Sequence, residues 1–152
     1  MNITYQKLTN QDLPLLKELI KIFEEVFEME NFVLPNDKYL QSLLENESMI
    51  FFVAALENEE GEVKVLGGLR AYILPSVYYA SSEIYLYDLG VTPTFQRQGI
   101  GTKLMEKLKG YSKGLGYKEL FVQADLEDKH AQDFYKKTGG QAADVIHFSY
   151  EL

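Results

Sequence analysis

Ile3 and Tyr5 alternate with polar neighbours at the head of the chain, which predicts a strand over residues 2–8. Leu13, Leu16, Ile20, Phe23 and Phe27 then recur at three- and four-residue steps, an amphipathic helix that ends near Phe27 and for which Thr9 or Asn10 offers an N-cap. Residues 28–35 read as a loop, and a second helix carrying Tyr39, Leu40, Leu43 and Leu44 starts on Asn36 or Asp37. This loop and helix come before the main sheet, where they can form one wall of a substrate cleft. Residues 49–56 are apolar on both alternations, as a strand buried on both faces requires. A turn at 58–61, a returning strand at 63–74, a loop around Tyr79-Ala80 and a further strand at 83–91 follow.

The second half continues with a helical pattern from about Gly99 to Lys113, stopped by Gly114 and Gly116, and a strand at 119–124. Asp128 then caps a short helix with Ala131, Phe134 and Tyr135, which ends at Gly139-Gly140, and residues 145–152 predict a final strand. The predicted order is β-α-α-β-β-β-α-β-α-β, an α+β chain. No repeat or low-complexity stretch interrupts it, and residues 1–152 are expected to form a single domain.

Composition narrows the function classes. A 46% apolar and 13% aromatic content is enough for a real core in 152 residues. The net charge of −8 argues against nucleic acid and anionic membrane as partners and favours a cationic substrate. Cysteine is absent, so there is no thiolate nucleophile or disulfide frame, and with only His130 and His147 a metal centre is not expected. The N-terminus lacks a signal pattern and no run approaches about 18 apolar residues, so the expected location is cytoplasmic.

One stretch carries specific chemistry. Between the strand ending in Tyr85-Leu-Tyr87 and the helix of 99–113 lies Asp88-Leu-Gly-Val-Thr-Pro-Thr-Phe-Gln-Arg-Gln-Gly-Ile-Gly-Thr102. A helix start presents backbone N–H groups without intrahelical partners and a partial positive charge, so this stretch reads as a cradle for a pyrophosphate. Gly99 and Gly101 let a ligand come close, and Arg97 adds a cation. A P-loop is excluded, because Gly101 is followed by Thr102-Lys103 rather than by Lys-Ser/Thr. A dinucleotide fingerprint is excluded as well, because Leu104 stands where its third glycine belongs.

Gln96-x-x-Gly99-x-Gly101 resembles the acetyl-CoA signature of the GNAT superfamily of N-acetyltransferases. Asp128-x-x-Ala131-x-x-Phe134-Tyr135-x-x-x-Gly139 resembles its second signature, at the expected separation. The resemblance implies a GNAT fold, with a central mixed, mainly antiparallel sheet flanked by helices. It extends over nearly the whole chain to the aminoglycoside 3-N-acetyltransferase family, through Gly67-Gly-Leu-Arg-Ala-Tyr-Ile-Leu-Pro75, Ser82-Glu-Ile-Tyr-Leu-Tyr-Asp-Leu89, Arg97-Gln-Gly-Ile100, Val122-Gln-Ala-Asp125, Pro35-x-x-x-Tyr39-Leu40 and His147-Phe148. Arg70 and Gly90 stand where that family more often has alanine, and the loop at 28–34 diverges.

By this resemblance the main chain of Leu89, Gly90 and Val91 binds acetyl-CoA together with Gln96, Arg97, Gln98, Gly99, Ile100, Gly101, Thr102 and Asp128. Tyr135 is the counterpart of the tyrosine that protonates the departing sulfur; on its residues alone it reads as a core aromatic beside Phe134. Asp88, Asp125 and Glu83 make an acidic constellation, in which Asp88 or Asp125 holds a substrate ammonium or takes its proton. Direct transfer needs no covalent intermediate, which suits a chain without cysteine. The implied acceptor is the 3-amino group of an aminoglycoside. A polyamine or peptide amine, and a non-catalytic acyl-CoA-binding module, are the alternatives. The aromatic C-terminal strand and the superfamily's habits point to a homodimer.

Overall fold

The structure, a computed structural model, describes residues 2–152. Five strands form one sheet in chain order: β1 (Ile3–Lys7), β2 (Met49–Glu57), β3 (Val63–Pro75), β4 (Ser82–Val91) and β5 (Glu119–Val122). The first four pair antiparallel with their neighbours, and short turns account for this between β2 and β3 and between β3 and β4. In the first of these turns the Asn58 side chain accepts from the N–H groups of Glu60 (3.0 Å) and Glu62 (2.8 Å). β5 runs parallel to β4 because a helix, α3 (Ile100–Gly114), carries the chain back across the sheet. The sheet is therefore mixed and mainly antiparallel, as expected.

Alternation in β2 divides the core in two. Ile50, Phe52 and Ala54 face one side, where Leu69, Ala71, Ile84 and Leu86 meet Ile100, Leu104, Met105 and Leu108 of α3. Phe51 and Val53 face the other side, where they meet Leu16, Leu19, Ile22 and Phe23 of α1 (Leu13–Val26) and Leu40 of α2 (Asp37–Glu45). The last helix, α4 (Lys129–Lys137), has no fully buried residue and lays Phe134 and Tyr135 against the α3 side of the core.

Three expectations need correction. The cap of α1 is Asp12 rather than Thr9 or Asn10: Pro14 sits in the first turn, where its missing N–H costs nothing, and the Asp12 carboxylate turns back to accept from the Thr9 N–H (2.7 Å) and hydroxyl (2.9 Å). The strand of 119–124 stops at Val122, because the chain there turns toward the α4 cap. Residues 145–152 form no strand within the chain; Val145, Ile146, Phe148 and Tyr150 are 73–85% exposed. Their alternation suits a strand, but strand structure also needs a partner edge, and none of the strands among the described residues pairs with them. His147, within this tail, is exposed, its Nε2 lying 3.1 Å from the Ser149 hydroxyl.

Candidate active site

The site is organised by β4, whose two edges end differently. Toward β3 the ladder continues to Gly67–Val91, but it steps from Ala71–Leu86 to Arg70–Asp88, leaving Tyr87 as an extra residue in a bulge. Toward β5 the ladder stops at Leu86–Val122. From Tyr87 onward, β4 thus presents main-chain groups on one edge without a ladder partner among the described residues. Leu89, Gly90 and Val91 lie in this half-open segment. Gly90 is buried beneath α1, where an added Cβ would come within 3.3 Å of the Phe23 ring.

The cradle follows. Thr92 donates its N–H to the Leu66 carbonyl (2.8 Å), a 3-10 turn spans Pro93–Phe95, and the Gln96 side-chain amide donates to the Val91 carbonyl (2.9 Å). Gln98 reaches back to the Thr94 carbonyl (3.3 Å). Both glutamines therefore use their side chains to hold the loop, and the feature left open to a ligand is the main chain. Arg97 adopts φ +63° and Gly99 φ +83°, and α3 begins after Gly99 with no side-chain cap. Its first bond runs from the Lys103 N–H to the Gly99 carbonyl (3.0 Å), so the N–H groups of Ile100, Gly101 and Thr102 have no partner within the helix. An uncapped helix start of this kind receives an anion well.

The two glycines have different jobs. A Cβ on Gly99 would meet nothing within 4 Å, so glycine is needed there for its left-handed backbone. A Cβ on Gly101 would come within 3.3 Å of the Phe134 ring and 3.6 Å of Leu89, so glycine there lets α4 close against the cradle. Asp128 caps α4 with its carboxylate, which accepts from the Ala131 N–H (3.0 Å). Beside them a groove between α3 and α4 is lined by Thr102, Met105, Glu106, Lys109, Lys137 and Thr138.

Tyr135 is carried to this region by α4, edge-on to Phe134 with ring centroids 5.2 Å apart. Burial first, then the Asp128 and Asp88 carboxylates, pushes its phenol up to about 12. It therefore keeps its proton at any working pH and is available as a donor.

The three acidic residues sit in different surroundings. Asp88 lies within β4 and not at its end, and only 17% of its side chain is exposed. Burial raises its carboxyl above the usual value, and the Arg70 guanidinium opposes that shift. Glu83 stands at the start of β4, five residues and about 16 Å along the strand from Asp88. There it accepts from the Tyr79 hydroxyl (3.0 Å). Asp125 is exposed in the turn after β5, where its carbonyl, not its carboxylate, accepts from the Asp128 N–H (2.9 Å) and the Gln132 amide (3.0 Å).

Sequence reasoning missed the surroundings of Asp88. Tyr85, Tyr87, Tyr72 and Phe121 form a row on the sheet face away from α3, with centroid separations of 4.7 Å (Tyr85–Phe121), 5.5 Å (Tyr85–Tyr87) and 5.9 Å (Tyr72–Tyr87). Tyr87 is 53% exposed. The signal was the alternation in 83–91, which places tyrosines on the face opposite Ile84 and Leu86.

The arrangement can hold a phosphorylated ligand along β4 and α3, offer a proton from Tyr135 and hold a cation at Asp88. Among the described residues no group of His, Asp or Glu side chains is placed to hold a metal ion, and no helix is long and apolar enough to cross a membrane.

Comparison with known proteins agrees with this geometry. Residues 15–140 match the model of the Acetyltransferase (GNAT) family. The chain is 41% identical to an aminoglycoside acetyltransferase from an uncultured soil metagenomic sample, crystallised with sisomicin, with 99% of this chain and 96% of that chain covered at a TM-score of 0.93. A second aminoglycoside acetyltransferase from such a sample is 36% identical, over 100% of this chain and 99% of that one, at a TM-score of 0.88. Thialysine N-epsilon-acetyltransferase of Bos taurus is 31% identical over 74 residues, 49% of this chain and 44% of that protein. The chain spans less than half the length of the curated relatives it matches.

Proposed function

Because the chain belongs to the Acetyltransferase (GNAT) family, we propose that it moves acetyl from acetyl-CoA to an amine of a polycationic small molecule, the 3-amino group of an aminoglycoside. The observation that carries the acceptor class is the similarity along the full chain to two aminoglycoside acetyltransferases, at 41% and 36% identity. The observation that carries the donor is the half-open β4 edge leading into an uncapped helix start, a cradle that acetyl-CoA fits.

Acetyl-CoA, when bound, supplies the acetyl group as a thioester. The main chain of Leu89, Gly90 and Val91 holds the arm that bears it, and the N–H groups of residues 97–102 hold the pyrophosphate. Tyr135 keeps its Oη proton and points a hydrogen bond at the charge that develops on the departing sulfur. A phenol at about 12 is a weaker acid than a thiol near ~8.5, so its contribution is chiefly that hydrogen bond rather than complete proton transfer. Asp88 receives the substrate ammonium, and Asp88 or Asp125 takes the proton that frees the amine for attack. The negative net charge draws a polycation to the site.

A second reading, a polyamine or peptide amine acceptor, is favoured by the net charge of −8, which would draw such a cation as well. The protein works as a homodimer in this account, supported by the exposed apolar tail of 145–152, which needs a surface outside its own chain; sedimentation equilibrium tests this. Thiol release from acetyl-CoA, measured across aminoglycosides, polyamines and peptides, tests the reaction. Tight CoA binding with no turnover of any amine would leave a non-catalytic acyl-CoA-binding module.

A further inference from the structure

Arg70 lies directly across the ladder from Asp88, and the bulge at Tyr87 brings Tyr87, Asp88 and Arg70 to one face. Its Nε–H donates to Asp88 Oδ2 at 2.6 Å and its Nη1–H to the Tyr72 hydroxyl at 2.8 Å. The guanidinium carbon stands 4.2 Å from the Tyr87 ring centroid and 5.5 Å from that of Tyr72. One carboxylate and two aromatic faces are the groups that would receive an organic ammonium, and this chain's own cation already occupies them.

We propose that Arg70 is a specificity-determining residue, a tethered cation seated where a substrate ammonium binds, so that an acceptor reaches Asp88 only by displacing it. The inference rests on the reading above in which Asp88 anchors the amine. The pair is unequal: the Arg70 side chain is 28% exposed, that of Asp88 only 17%. The arginine has a route to solvent on a long stem, whereas the carboxylate stays enclosed and needs a cation in either state. Burial raising the Asp88 carboxyl even with Arg70 beside it agrees with that need. A site closed by its own cation binds ligand more weakly by the fraction of time it stands open. A weakly charged amine displaces the guanidinium poorly, while an acceptor bringing several positive charges, with other acidic groups to hold them, pays that cost more easily. Exchanging one cation for another also leaves the charge at Asp88 balanced, so acceptor binding depends less on salt than the chain's acidity suggests.

The test is steady-state kinetics of Arg70→Ala and Arg70→Gln with acetyl-CoA and two acceptors, a gentamicin-type aminoglycoside and spermidine, at several ionic strengths. The expected result is a KM about five- to tenfold lower in both variants, a larger gain for spermidine than for the aminoglycoside, and a steeper rise of KM with salt. Arg70→Lys should stay nearer the parent. Acetyl-CoA affinity by calorimetry should be unchanged, which shows that the variants are folded; should Arg70→Ala fail that check, Arg70→Gln decides. An unchanged or higher KM with the parent salt dependence, or a loss confined to kcat, would overturn the proposal and leave Arg70 as a brace for Asp88. If neither acceptor is turned over but a peptide amine is, the aminoglycoside reading fails, and the same KM and salt comparison with that peptide decides the role of Arg70.

Discussion

Gly99→Ala and Gly110→Ala place the same methyl group on the same helix with opposite expected effects. At Gly99 the methyl meets nothing within 4 Å, so its whole cost is the backbone, held at φ +83°. A left-handed conformation costs a residue with a Cβ about 1–2 kcal/mol. The smaller freedom of alanine in the unfolded chain returns ~0.4–1 kcal/mol, for a net loss of about 1 kcal/mol. For a 152-residue domain that lowers Tm by roughly 2–4 °C. Gly110 lies inside α3 with open space around it and no positive φ, so alanine there should add about 0.5–1 kcal/mol and raise Tm by a similar interval. The two should also differ toward ligand. If Gly99→Ala relieves its strain by turning the cradle, one misaligned N–H donor loses about 1 kcal/mol, roughly a fivefold weaker Kd for CoA, while Gly110→Ala leaves Kd unchanged. Differential scanning calorimetry and titration calorimetry read both quantities. Equal Tm shifts for the two variants would refute the left-handed cap, and an unchanged CoA affinity in a Gly99→Ala variant that has relieved its strain, its Tm undiminished, would refute the cradle.

Other predictions follow the same residues. Tyr135→Phe should lower kcat by about 10²–10³-fold, the cost of one donor aimed at developing charge, with acetyl-CoA affinity nearly intact, measured by single-turnover and calorimetry; a full rate would return Tyr135 to a core aromatic. The Tyr135 phenol is raised from 10.0 to about 12, so the unfolded chain loses this proton first. Its contribution to stability should therefore be level below pH 10 and fall between pH 10 and 12, and Tyr135→Phe should remove that part of the alkaline decline in denaturant titrations. Asp128→Ala removes the α4 cap and should cost about 1 kcal/mol in urea unfolding. Leu104→Ala, at a side chain with no exposure between α3 and the sheet, should cost about 2–5 kcal/mol in the same assay.

The elements were legible in the sequence because burial imposes the periodicities that were read. β2, apolar on both alternations, is the strand whose two faces meet α3 on one side and α1 with α2 on the other. The cradle was legible for the same kind of reason, since a left-handed cap leaves its mark as a glycine. What could not be read depends on register. Arg70 and Asp88 are eighteen positions apart and meet only because one residue, Tyr87, is bulged out of the ladder. Glu83 and Asp88 share a strand, yet Glu83 stands at its start and Asp88 well inside it, which separates two carboxylates that looked like one constellation. The tail of 145–152 has the alternation of a strand, but pairing is a property of two segments, and the described residues supply no second one. Gly101 looked like a ligand position, and its nearest obstacle is Phe134 of this same chain.

The central claim is tested most directly by incubating the protein with acetyl-CoA and a gentamicin-type aminoglycoside, with spermidine and a peptide amine in parallel, and locating the acetylated nitrogen by NMR. The highest kcat/KM is expected for the aminoglycoside, with a product acetylated at its 3-amino group. Turnover confined to the polyamine or the peptide, or acetylation at a different amine of the aminoglycoside, would contradict it.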